Sequence, residues 1–77
     1  MTDPVTGLTG TMTSPIRSAG GLGEVLVAIR GGTESYIARA DEPVAAGSTV
    51  LIIEAHPGRI VDVVPWIPLA PDRQRDI

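Results

Sequence analysis

Residues 43–65 read PVAAGSTVLIIEAHPGRIVDVVP, and this stretch decides the fold. Thr49 to Ala55 and Ile60 to Val64 are short runs of β-branched and aliphatic residues, the composition that suits a pleated, half-buried surface. His56-Pro57-Gly58-Arg59 lies between them. Proline at the second turn position presets φ, and glycine at the third accepts the positive φ that a type II turn requires. Two strands joined by a tight turn, a β-hairpin, follow from that chemistry.

Glu24 to Arg30, upstream of this hairpin, is a strand with Val25, Val27 and Ile29 on one face. Gly31-Gly32 supplies a tight reversal, and Thr33 to Ala40 returns as its partner, with Tyr36, Ala38 and Ala40 on one parity. Small alanines there suit a crowded interior. Upstream, Thr9, Thr11 and Thr13 alternate with Gly10, Met12 and Ser14, a first strand that Pro15 ends. Ile16 to Gly23, with Gly20, Gly21 and Gly23, reads as a mobile loop or a sharp barrel corner. Asp41 to Gly47 is short and interrupted by Pro43, so it forms a turn with at most one helical turn.

Residues 1–6 are polar and turn-rich and read as a disordered terminus. Residues 67–77 form a Pro-rich, charged, flexible tail; Pro65, Pro68 and Pro71 recur with the period of a polyproline II helix. The domain proper is 7–66. Five short strands with no room for crossover helices predict an all-β fold, a small five-stranded antiparallel barrel. An SH3-like and an OB-type closure both suit this length. Three strands, a linker and a final hairpin match the OB order better, with the helix between strands 3 and 4 reduced or absent.

Composition narrows the chemistry. A chain of 77 residues with no cysteine has neither a disulfide framework nor a thiolate metal site. Its formal net charge of -3 opposes attraction to phosphate backbones and anionic lipid. No run approaches the roughly 18–20 apolar residues of a membrane-spanning helix, and no signal-peptide pattern opens the chain, so as given it reads as soluble. The phrase VLIIEAH at 50–56 resembles biotinyl and lipoyl carrier domains, but those attach their cofactor to a lysine, and this sequence has none. GGLGEV at 20–25 precedes a strand rather than opening a helix and lacks the P-loop lysine, so it reads as a structural corner.

His56, the only histidine, reads as a solvated hairpin tip, because neither catalytic partners nor further metal ligands are evident beside it. Glu54, Asp62 and the Asp41-Glu42 pair read as the wet face of the strands. No catalytic, cofactor-binding or metal-binding residue is assigned, and no cofactor is expected. Trp66 with Ile67 and Leu69 forms the most exposed-looking apolar group. Trp66 itself is expected to fold back over one barrel end, since a small domain needs apolar closure. Partner-binding candidates are Trp66, Ile67 and Leu69, together with Arg39 and Tyr36.

Three features in one order over residues 7–66 resemble the C-terminal soluble domain of NfeD-like proteins. They are the glycine-rich GLTGTMTSPI at 7–16; GEV at 23–25 with a glycine turn and SYIARA at 35–40; and Gly47, Val50 and Ile52 followed by Pro57-Gly58, Val61, Val63 and Pro65. The resemblance implies a five-stranded OB barrel tethered behind transmembrane helices on the cytoplasmic side of a bacterial membrane. It also implies a non-enzymatic, scaffolding role beside stomatin- or flotillin-like membrane proteins. The departures are the missing membrane helices and the short 41–47 link, which would leave one barrel end open. The family pattern places Val50 and Ile52 inside, whereas Glu54 on the same parity belongs outside. A bulge near Ile52 and Ile53 reconciles the two, because one extra residue flips the facing of every later position in the strand. Val50, Ile52, Val61 and Val63 are therefore the expected core, with Leu51 less buried. The rival reading is an oligonucleotide-binding OB domain, which wants a basic groove and several aromatic platforms; Tyr36, Trp66 and scattered arginines serve it poorly.

Overall fold

The computed structural model describes residues 5–66. Strands β1 (Thr9–Ser14), β2 (Leu22–Ile29), β3 (Gly32–Arg39), β4 (Thr49–His56) and β5 (Ile60–Pro65) close into a barrel in the order β1-β2-β3-β5-β4. Its β1-β2, β1-β4, β2-β3 and β4-β5 pairs are antiparallel. The remaining seam is parallel, with Ile37, Ala38 and Arg39 opposite Ile60, Val61 and Asp62. This corrects the wholly antiparallel barrel expected from the strand count. The chain reverses after β3 and again after β4, so β5 runs in the direction of β3. With β4 paired to β1, closure leaves β5 no other neighbour.

The hairpin carries the core as its sequence implies. Val50, Ile52 and Val61 are fully buried and Val63 nearly so. The register shifts between Ile52 and Glu54, so that Ile52 opposes Val63 and Glu54 opposes Asp62 with Ile53 as the extra residue. Before this bulge the even positions of β4 face inward; after it, Ala55 packs against the core and Glu54 is exposed. Val25, Val27, Met12 and Ala38 complete the interior.

Both barrel ends are closed by residues outside the strands. Where β1 begins, fully buried Val5 packs into the core while its carbonyl accepts a bond from the Leu8 amide, 3.1 Å. Val5 thus belongs to the packed domain rather than to a disordered segment. At the other end Ile16 and Val44 form an isolated bridge, each amide donating to the other's carbonyl at 2.9 and 2.8 Å, and both are buried. The 41–47 link contains no helix, and this bridge fills the space that the short link would otherwise leave open. Trp66 does not serve as a plug. Its amide extends the ladder to the Thr49 carbonyl, 3.0 Å, and its side chain is 42% exposed.

The two hairpin turns sit one residue from their expected places. Ile29 pairs with Gly32, so the β2-β3 turn is Arg30-Gly31, with φ of 54° and 78°. Positive φ at both central residues is the type I′ geometry that matches strand twist. In the β4-β5 turn Gly58 has the expected positive φ, 84°, but His56 pairs with Ile60, leaving a three-residue loop in which Arg59 is also left-handed at 59°.

Candidate functional site on the outer face

Strand alternation sends residues 37 and 39 of β3, residues 60, 62 and 64 of β5, and Glu54 and His56 of β4 to the barrel exterior. The parallel register sets Arg39 beside Asp62, and the bulged antiparallel register sets Glu54 beside Asp62. A row of charged side chains therefore crosses three strands, with His56 adjoining it. Arg39 Nε donates to Asp62 Oδ1 at 3.1 Å, and His56 Nε2 lies 2.9 Å from Asp62 Oδ2. Arg39 Nη2 is 3.4 Å from the same histidine nitrogen. A guanidinium only donates, so one ring nitrogen cannot satisfy both neighbours. The shorter, charge-assisted contact to the carboxylate decides the matter and places the proton on Nε2.

The His56 hydrogen bond holds the Asp62 carboxyl below its ordinary value of 3.8; burial pushes the other way, and Arg39 adds to the lowering. Glu54 is exposed, and its carboxylate makes no hydrogen bond or ion pair among the described residues. His56 is thus not a solvated tip. It is half-buried, the last residue of β4, and held by the Asp62 carboxylate 6 residues away in sequence. One sequence signal pointed to it. Once a bulge is placed at Ile52-Ile53, Glu54 and His56 share the face of Asp62 across the hairpin. What places Arg39 there is the parallel seam, for which no local signal exists.

Beyond Asp62 the β3-β5 seam opens, since β3 ends at Arg39 while β5 continues to Pro65. A groove of about 270 Å³ occupies this opening, lined by Arg39, Asp41, Glu42 and Asp62 on its polar side and by Ile53 and Val64 on its apolar side. Ile53 and Val64 are 50% and 37% exposed. Trp66 follows on the same parity of the same strand direction. The outer face thus pairs a charged row with an uncovered apolar margin.

The partner-binding candidates separate accordingly. Arg39 and Trp66 lie on this face. Tyr36 does not: it is on the inward parity of β3, half-buried, with the Arg59 guanidinium 4.5 Å above its ring and its hydroxyl donating to Glu34 Oε1 at 3.1 Å. Arg59 Nη2 also donates to the Ser35 carbonyl at 2.9 Å, covering the part of β3 that β5 does not reach. Ile67 and Leu69 lie outside the described residues.

Residues 9–64 match the family model of the NfeD C-terminal domain. Among solved structures, the chain is similar to the soluble domain of the NfeD protein YuaF from Bacillus subtilis, determined in solution. The match has a TM-score of 0.69 and 28% sequence identity and covers 82% of this chain and 75% of that one. None of the curated proteins matches the chain. Among the described residues no helix is long and apolar enough to cross a membrane.

Proposed function

The chain belongs to the NfeD C-terminal domain family, and from that premise we propose that it is a non-enzymatic docking module for a stomatin- or flotillin-like membrane scaffold protein. In this reading it works on the cytoplasmic side of a bacterial membrane. The observation that carries it is the exposed apolar pair Ile53 and Val64 lining the groove at the open β3-β5 seam, with exposed Trp66 two residues beyond Val64 in the chain. Aromatic and aliphatic anchors beside a concavity are the features that dominate interface energetics. Asp41 and Glu42 on the groove wall would select a partner segment carrying basic residues next to apolar ones.

The chemistry of the outer face supports binding over turnover. The sequence offers neither cysteine nor lysine, and among the described residues His56 is bonded to Asp62 rather than to a hydroxyl that it could activate. The oligonucleotide reading finds less support, because Tyr36 lies beneath Arg59 instead of offering an open platform and the groove wall is acidic. The test is retention of a purified stomatin-like scaffold on the immobilised chain. Retention above that of an unrelated barrel of similar charge, and weakened by Ile53→Ser with Trp66→Ser, is expected; retention equal to the unrelated barrel overturns the proposal.

A further inference from the structure

We infer that Glu54, His56 and Asp62 form a binding site for a divalent transition-metal ion of the zinc type on the outer face of β4 and β5. Each residue offers one ligand atom, and the three atoms lie within 4.8 Å of one another. Four-coordinate zinc bonds nitrogen and oxygen at about 2.0–2.2 Å. Tetrahedral geometry at that bond length spaces the ligand atoms by roughly 3.3 Å, so the observed cluster needs only side-chain rotation. The backbone already supplies the arrangement: the bulge turns Glu54 and His56 to one side, and the hairpin register brings Asp62 beneath them.

Charge points the same way. Glu54 directly opposes Asp62, and like charges in that relation are destabilising. Arg39 neutralises Asp62 alone, leaving Glu54 without a partner among the described residues. A cation between the two carboxylates removes the repulsion. One imidazole with two carboxylates also suits zinc, copper or nickel better than magnesium or calcium, which prefer all-oxygen shells. Binding displaces the proton from His56 Nε2: the ion takes that nitrogen and Asp62 Oδ2, and the neutral ring carries its one N–H on Nδ1 instead. Arg39 opposes this step, because its guanidinium stands 3.4 Å from the same nitrogen and must swing aside. Its side chain is 46% exposed and has room to do so. A fourth position stays open beside the groove that Asp62 lines, where water or a partner's side chain completes the shell.

The experiment is calorimetric titration of the full chain, without a polyhistidine tag, with zinc chloride at about pH 7.5. Cobalt(II) absorbance reports the geometry in parallel. One saturable equivalent is expected. His56→Gln and Glu54→Gln each should weaken it at least as much as loss of an outer-shell partner does, on the order of 10–100-fold. Arg39→Gln should tighten it, an outcome that a purely structural network of Arg39, His56 and Asp62 does not produce. Circular dichroism confirms that these surface variants fold. Absence of saturable zinc uptake, or uptake unchanged in both His56→Gln and Glu54→Gln, overturns the inference.

Discussion

Replacing Gly10 with alanine tests the barrel geometry at its tightest point. Gly10 is the second residue of β1 and pairs with Val27 on one side and Val50 on the other. A Cβ added there would sit 2.6 Å from Val25 Cγ2, 2.9 Å from the Leu26 carbonyl oxygen and 3.2 Å from Val27 Cγ2. The valine methyl belongs to a short, fully buried side chain, and the carbonyl is part of a ladder, so neither yields freely. Overpacking of this kind costs about 1–3 kcal/mol, and the upper part of that range applies because a shift of β1 disturbs two ladders at once. Alanine also restricts the unfolded chain, which offsets about 0.4–1 kcal/mol. Steric cost wins, for a net loss of about 2 kcal/mol. In a domain this size each kcal/mol moves Tm by roughly 4–8 °C, so Gly10→Ala should melt roughly 8–16 °C below the parent in a circular-dichroism scan. Gly32→Ala is the control: nothing lies within 4 Å of its added Cβ and its φ is not left-handed, so the unfolded-state term should leave it unchanged or slightly more stable. Equal melting of Gly10→Ala and Gly32→Ala would refute the close approach of β1 and β2.

Further expectations come from the hairpin and its neighbours. Ile52→Ala should cost about 2–5 kcal/mol and Ile53→Ala less than about 0.5 kcal/mol in urea unfolding, because the bulge buries the first and exposes the second; the reverse order would put the bulge elsewhere. Arg59→Gly should be more stable than Arg59→Ala by about 1 kcal/mol, since both lose the contacts to Tyr36 and Ser35 but only glycine relieves the left-handed φ of 59°. Equal stabilities would contradict that turn geometry. Asp62 has a depressed carboxyl pKa in the folded state, so the stability it contributes is present above its unfolded value of 3.8 and is lost as pH falls through the folded value. Asp62→Asn should therefore be less stable than the parent at pH 7, by about 1 kcal/mol or less, with the gap closing in acid; a gap that widens as pH falls would reverse the sign of the linkage.

Local chemistry is the part of the fold that was legible in the sequence. The alternation of Val25 and Val27 and the glycines of both turns are each read over short stretches of chain, and the strands follow from them; the inward facing of Val50 and Ile52, and with it the bulge before Glu54, rested on the resemblance to the NfeD-like pattern. Non-local pairing left no such trace. The parallel β3-β5 seam has no turn of its own, so neither the change of strand direction nor the meeting of Arg39 with Asp62 could be read in advance. Val5 stands among polar residues and carries no period, although its burial contributes on the order of 1.5–3 kcal/mol. Trp66 misled for the opposite reason: an aromatic residue beyond the last strand suggests a plug, while Val5 at one end and the Ile16-Val44 bridge at the other had already closed the barrel.

The claim on which the functional account rests is that the open β3-β5 seam is the docking face. An amide chemical-shift titration of the isotope-labelled chain with an unlabelled stomatin-like scaffold domain addresses it residue by residue. Perturbations are expected to concentrate at Asp41, Glu42, Ile53, Val64 and Trp66, with Arg30, Gly31 and Gly32 on the far side, at the β2-β3 turn, unmoved. Shifts confined to that far side, or no shifts at saturating partner, would contradict it.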